Sequence, residues 1–209
     1  MARNFGEIAF SAEVKKMQER LGSRKSYARL EKEQQVDGLT GVEIEYISRM
    51  DHFYMASNSE SGYPYIQHRG GPKGFIKVLE PKKIGIVDFR GNMQFVSVGN
   101  IMTNNKVSMI MVNYPARERL KIFARASIVE FADDPELHAR LDLHDYPSHP
   151  ERMIVFDIDA YDWNCPQHIT PRYTLEDIRE LFNSQSDHIH DLEAEIQTLK
   201  KKLRSEGQI

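Results

Sequence analysis

Apolar positions in the first fifty residues recur at helical spacing, and from His52 onward they alternate or run together in strand-length segments. Ser11 is placed to cap a short helix running to Leu21, with Gly22 just past its end, where a left-handed residue is favoured. The basic, polar stretch Ser23 to Gln35 reads as an extended arm or a short helix. Thr40 and Glu43 form a threonine-x-x-glutamate capping box ahead of Ile44, Tyr46 and Ile47, and that helix is expected to end near Met50.

After this point the period changes. His52 to Ser57, Tyr63 to His68, Gly74 to Leu79 and Lys83 to Val87 are rich in aromatic and β-branched residues, and Glu60-Ser61-Gly62 and Glu80-Pro81-Lys82 supply turns. Val107 to Tyr114, Leu120 to Phe131 and Met153 to Tyr161 continue the series, while Asp133-Asp134-Pro135 opens a short helix through about Leu141. Six or more strands joined mostly by tight turns indicate a mainly β (α+β) protein, an antiparallel barrel with peripheral helices rather than a doubly wound parallel sheet. No G-x-G-x-x-G fingerprint is present, which argues against a Rossmann dinucleotide site.

The end of the chain has a different pattern. Thr174 caps a predicted helix in which Leu175, Ile178, Phe182, Ile189, Leu192, Ile196, Leu199 and Leu203 follow steps of three and four, interrupted at Gln185. With Leu175 at heptad position a, Phe182, Ile189, Ile196 and Leu203 also fall at a, and Ile178, Leu192 and Leu199 at d. Isoleucine at a with leucine at d favours a parallel two-stranded coiled coil, in which Glu195 at g meets Lys200 at e. The alternative is a single amphipathic helix lying on its own barrel. The organisation expected is a helical arm over 1–50 packing on the barrel, a barrel over 51–173 and a C-terminal amphipathic, coiled-coil-like helix over 174–209.

Charge and composition narrow the class. With 28 basic and 31 acidic residues, a net charge of -3 gives no general pull toward nucleic acid or anionic lipid. One cysteine excludes an internal disulfide framework, the N-terminus has no apolar h-region, and no segment approaches the ~20 apolar residues of a membrane span. A soluble, cytoplasmic protein with no nucleic-acid or membrane partner is expected.

Candidate chemistry lies in three strings. Tyr65-Ile66-Gln67-His68-Arg69-Gly70-Gly71-Pro72 and Val87-Asp88-Phe89-Arg90-Gly91-Asn92-Met93-Gln94 each place an arginine, side-chain amides and glycines at a strand end, as holding a phosphorylated cofactor requires. The ordinary alternative is that Arg69 and Arg90 are solvated or paired with a nearby carboxylate such as Asp88. In Trp163-Asn164-Cys165-Pro166-Gln167-His168, the indole offers a flat packing surface, and Gln167 and His168 can hydrogen-bond a bound ligand or a substrate. Cys165 with His168 lacks the third group of a nucleophilic site and the further ligands of a zinc site, so Cys165 reads as a small, partly buried bystander. His138, His144 and His149 with Asp142 and Asp145 read as a solvated surface connection, and no metal site is assigned.

Together these strings resemble the pyridoxamine 5'-phosphate oxidase-related, FMN-binding split-barrel family, over about Phe5 to Tyr173. The resemblance implies a six-stranded split β-barrel forming a homodimer, with FMN sites at the subunit interface. It implies that Gln67, His68, Arg69, Asp88, Phe89, Arg90, Asn92 and Gln94 cradle the ribityl phosphate and one flavin edge, with Trp163, Gln167 and His168 completing the cofactor site. Met93 stands where relatives often carry a basic residue, and the serine-arginine-lysine phosphate motif of the authentic oxidases is missing, which points away from vitamin B6 oxidation itself. The implied function is an FMN-dependent oxidoreductase passing hydride or electrons from a reduced donor to a small-molecule acceptor, with no catalytic residue identified. The alternatives are a flavin (FMN or FAD), deazaflavin or haem binding or sensing protein with an oligomerising tail, and a structural barrel without cofactor.

Overall fold

A computed structural model of the chain describes residues 4–33 and 37–205, with the side chains at 33, 180, 181, 184, 187, 201 and 203–205 left out. Gln35 and the Leu203 side chain, both assigned above, lie outside the described residues. Seven strands form one antiparallel sheet: β1 (His52–Asn58), β2 (Pro64–Gly70), β3 (Lys77–Glu80), β4 (Lys83–Phe89), β5 (Lys106–Asn113), β6 (Glu118–Val129) and β7 (Pro150–Asn164). Their spatial order is β2-β1-β5-β6-β7-β4-β3. The six-stranded barrel that the resemblance implies is therefore corrected to an open sheet of seven strands, one for each strand-length run in the sequence. The Glu80-Pro81-Lys82 turn folds Lys77–Glu80 back on β4 as an additional edge strand, with Lys77 opposite Gly85.

The sheet is rolled. Laid flat, five strand spacings of ~4.8 Å would separate β2 from β4 by about 24 Å. Yet Arg69 on β2 forms an ion pair with Asp88 on β4. Curvature also brings Phe53 of β1 edge-on to Phe156 of β7 at 6.1 Å. A register shift between Phe123 and Ala124 in the long β6–β7 pair is the kind of irregularity that sharpens such a bend. The hydrogen-bonded ladder remains open between edge strands β2 and β3, so side chains, not backbone bonds, tie β2 to β4.

Inside the roll, Phe53, Met55, Phe75, Ile84, Ile86, Met109, Met111, Leu120, Ile122 and Phe156 form the core. Apart from Phe75, in the loop before β3, these come from the inward positions of five neighbouring strands, most clearly β1 and β5, whose buried residues recur every second position. Tyr46 and Ile47 of α4 (Gly41–Ser48) join the same core.

The N-terminal helices follow their start and stop signals. Ser11 accepts from the Val14 amide at the start of α2 (Ala12–Arg20), and Gly22 takes φ 78 just beyond it. Residues 24–33 form helix α3 (Arg24–Glu33), the helical of the two readings given to that stretch. Helix α1 (Phe5–Ala9) was not expected; Phe5 stacks on Phe123 of β6 at 4.8 Å. Nor did the residue pattern predict α5 (Val96–Thr103), whose short β-branched run has no side-chain cap; only the resemblance implied a short helix after the Asp88 to Gln94 turn. Asp134 caps α6 (Pro135–Leu141) as its sequence predicts.

The α4 capping box is also a tertiary junction. Glu43 accepts hydrogen bonds from the Thr40 amide at 2.9 Å, the Trp163 indole at 2.7 Å and the Tyr161 hydroxyl at 3.3 Å, so one buried carboxylate holds α4 to the end of β7. Burial opposes its charge, but the bonds from Thr40 and Trp163 outweigh that and hold the carboxyl below its ordinary 4.5. Burial, with the Glu43 charge beside it, pushes Tyr161 up to about 12.

Contacts divide the chain into two units. The first takes residues up to Asn113 and Glu118–Gln167, with all seven strands and α1 to α6; the second takes Tyr114–Arg117 and residues from His168 on. Within the second, Arg172 lies over the Tyr114 ring at 4.8 Å. Thr174 and Asp177 cap each other's amides at the start of α7 (Leu175–Ser205). No helix among the described residues is long and apolar enough to cross a membrane.

Replacing Glu43 with alanine strands the part-buried indole N–H of Trp163 and is expected to cost about 1–3 kcal/mol in urea denaturation. Because the folded-state pKa is lowered, the stabilisation is full above pH 4.5 and drains as pH falls through the folded value. Glu43→Gln is accordingly expected to flatten the acid limb of the stability curve.

Candidate functional site

Alternation along β2 sets the first half of the site. Tyr65, Gln67 and Arg69 share one side of the strand and line a cleft, whereas Ile66 and His68 point the other way. The second half comes from the end of β4, the loop Arg90 to Phe95, the first turn of α5 and the start of β7. Register places Asp88 directly opposite Arg152 across the β4–β7 pair.

Asp88 is the hub. Its carboxylate is only 4 % exposed and receives Arg69 on one oxygen and Arg152, at 3.2 Å, on the other. Arg152 also reaches Glu151 at 3.3 Å, and Glu151 accepts from Arg90 at 3.2 Å. Three guanidinium groups thus meet two carboxylates, leaving an excess of positive charge. Among the described residues, Arg69 Nε is buried with no hydrogen-bond partner.

Helix α5 adds more donors. Phe95 occupies its N-cap position without a side-chain cap bond, so the amides of Val96, Ser97 and Val98, which line the cleft, have no acceptor within the helix. Eight residues of aligned peptide dipoles make that end favourable to an anion. Ser97 Oγ donates to Gln67 Oε1 at 2.6 Å, fixing α5 against β2.

Two non-glycine residues in the approach adopt left-handed backbone, Met93 at φ 61 and Phe95 at φ 54. Such conformations cost of order 1–3 kcal/mol each. What the chain gains is placement: Phe95 lies over the Arg152 guanidinium at 5.2 Å, and Asn92 Oδ1 accepts the Gln94 amide at 3.1 Å.

Size separates two compartments. The cleft proper has a volume of about 50 Å³. Beyond Phe95, Val98 and Arg152, which both share, opens a groove of about 680 Å³ walled by Ile101, Met102, Ala126 and Ile128. A phosphate-sized group matches the first, and a flat aromatic group the second, within the usual ~300–1,000 Å³ of ligand sites.

Of the residues singled out in the sequence, Gln67, Arg69, Asp88, Phe89, Asn92 and Gln94 are brought together around this cleft. Arg90 stands at its margin, 56 % exposed and held by Glu151. His68 is on the outer side of β2, stacked on His52 at 5.6 Å and edge-on to Tyr54. Trp163 lies eleven residues along β7 from Arg152, about 36 Å of strand at ~3.3 Å per residue. Exposed Gln167 follows it, so within one chain neither joins the cleft. His168 opens the second unit with φ 63.

Cys165 is exposed rather than partly buried, a correction that follows from its place just past the end of β7. Arg69 pairs with Asp88 as the ordinary alternative anticipated. Arg152, Ser97 and Phe95 were missed. For Arg152 the usable signal was its position one residue before the apolar run Met153 to Phe156, which becomes informative only once the β4–β7 register is known.

No family model and no curated protein matches the chain. Among solved structures it is similar to a pyridoxamine 5'-phosphate oxidase candidate from Lactobacillus delbrueckii (19 % identity, 62 % of this chain and 97 % of that one, TM-score 0.47). An FMN-binding protein from Syntrophomonas wolfei is similar over 71 % of this chain and 97 % of its own, at 12 % identity and TM-score 0.44. The haem storage protein HutZ from Vibrio cholerae is similar over 57 % and 90 %, at 15 % identity and TM-score 0.37. Proteins of the family that the sequence resembles are thus among its structural neighbours.

The hub position makes a graded prediction. Asp88→Ala leaves two buried guanidinium groups without their shared acceptor and is expected to cost about 3–5 kcal/mol. Arg69→Ala, which leaves Arg152 on the carboxylate, should cost less, and Arg90→Ala less than about 1 kcal/mol. Guanidinium chloride midpoints at constant slope would establish the order.

Proposed function

We propose that this chain binds FMN, the phosphate end in the Arg69–Asp88–Arg152 cleft and the ring system in the adjoining groove, and that it serves as an oxidoreductase. The observation that carries the reading is the surplus of donors at a phosphate-sized cavity: a buried, unpartnered Arg69 Nε beside the uncapped first turn of α5. The sequence resemblance supplies the identity of the phosphorylated group.

Arg69 and Arg152 would hold the phosphate through charge-assisted hydrogen bonds, together with the amides of Val96, Ser97 and Val98. Asp88 stays on the far side of both guanidinium groups and keeps them oriented. Asn92 and Gln94 offer neutral side-chain amides at the rim, and Phe95 separates the polar end from the apolar groove. When bound, the flavin supplies the redox chemistry, accepting hydride or electrons from a reduced donor and passing them to a small-molecule acceptor, while the protein sets its orientation and electrostatics.

Trp163 and Gln167, remote from the cleft of their own chain, are assigned on this reading to the site of a second copy. The site is then completed at the interface of a homodimer. Met93, exposed and without charge, contributes no phosphate contact, which leaves that duty to Arg69, Arg152 and α5.

The test is a visible spectrum of the purified protein, mass identification of what heat releases, and titration with FMN followed by flavin fluorescence. Arg152→Ala is expected to raise the FMN Kd about 10- to 150-fold, the equivalent of one charged hydrogen bond of ~1.5–3 kcal/mol. Arg90→Ala, at the margin, should change it less. A protein that neither carries nor takes up FMN overturns the reading, and a haem spectrum or a released deazaflavin would replace the cofactor. Oxidation of a reduced nicotinamide by the loaded protein would distinguish an oxidoreductase from a binding protein.

A further inference from the structure

We infer that α7 is an assembly element whose partner is α7 of a second copy, parallel and in register. Independently of the flavin reading, three observations converge on this. The first is length: 31 residues of continuous helix extend about 46 Å at ~1.5 Å per residue. The second is exposure. Leu175, Ile178, Phe182, Ile189, Leu192, Ile196 and Leu199 are all at least 38 % exposed. They form one stripe at steps of three and four, while the other positions are mostly charged or polar, apart from Leu181, Ala194 and, at the next position a, Leu203.

The third observation selects the partner. Ile189 and Ile196 take position a, with Leu192 and Leu199 at d, the combination that packs best across a parallel two-stranded seam. Parallel alignment sets position g of one helix against position e of the next heptad in its mate. Glu195 then meets Lys200 of the partner subunit as an opposite charge, and His188 meets Glu193 of the partner subunit, which can accept a hydrogen bond from its ring. Gln185 is the one polar residue in the stripe, at d. In register it faces its own counterpart, where two amides can bond each other; any shift of one heptad would set it against Ile178 or Leu192, which cannot. The partner that satisfies the stripe, the flanking charges and the glutamine together is the same helix.

Full-length protein with Cys165→Ser provides the test, since Cys165 is the sole cysteine and is exposed. Leu192→Cys and Leu199→Cys are introduced separately at the seam, and Asp191→Cys serves as a control at position c. Under mild oxidation both seam variants are expected to yield disulfide-linked dimers at least tenfold faster than the control. Adding Ile189→Lys to Leu192→Cys should return its rate to the control level. Cross-linking at only one seam position would mean antiparallel pairing, and equal or absent cross-linking would mean that the stripe meets some other surface; either result overturns the inference. FMN content is measured in the same samples, so loss of the flavin reading would leave the cross-linking result intact, and the reverse.

Discussion

The Asp88 carboxylate, shared by Arg69 and Arg152, is the constraint on which the rolled sheet and its cleft both depend. The backbone ladder ends at β2 on one side and β3 on the other, so nothing in the hydrogen-bonded sheet requires β2 to approach β4. The ion pair from Arg69 supplies that requirement, and the cross-strand partner Arg152 fixes the carboxylate from β7. Burying three charges is costly, and an isolated buried pair is poor evidence for stability. Here the cluster does a second job, because the strand edges it draws together are the walls of the cleft.

A second buried carboxylate performs the corresponding task at the other end of β7. Glu43 collects donors from the start of α4 and from Trp163 and Tyr161, so the helix that enters the core is registered against the strand by a polar contact rather than by apolar packing alone. Trp163 lends its indole N–H to this junction. Its ring also meets Tyr46 edge-on at 4.8 Å, which accounts for its partial burial without any ligand. A role at a neighbouring copy's cofactor is compatible with this, since only one edge of the indole is engaged by Glu43.

What could be read from the sequence, and what could not, divides by the range of the interactions. The caps at Ser11, Thr40, Asp134 and Thr174 and all seven strand segments were legible because each is decided within a few residues. Helix α5 was not: Val96-Ser97-Val98 has the composition of a strand, its N-cap is an aromatic residue, and what fixes it is the bond from Ser97 to Gln67 thirty residues away. The cleft was half legible. Gln67, Arg69, Asp88, Asn92 and Gln94 share two continuous segments, whereas Arg152 enters through a register that no local pattern states. His68 shows the opposite failure, since membership of the same string as Arg69 says nothing about which side of β2 it occupies, and the period of two sends it outward.

The shape of the paired compartments bears on how a phosphorylated ring compound would sit. The charged end, at about 50 Å³, is small for a ring system, and the groove of about 680 Å³ is walled by Ile101, Met102, Ala126 and Ile128 as well as by polar Asn105, Ser127 and Glu130. Phe95 stands between them, held in a backbone conformation that costs of order 1–3 kcal/mol for a non-glycine residue. A glycine there would remove the strain, but it would also remove the ring over Arg152 and merge the two spaces. The strained phenylalanine therefore makes sense as a partition: its ring stands over the guanidinium at the boundary of two spaces that Arg152 itself lines. Asp88 fits the same logic, for two guanidinium groups converging on one small volume would repel each other, and a shared carboxylate behind them lets both remain while their forward-facing donors stay available to a second anion.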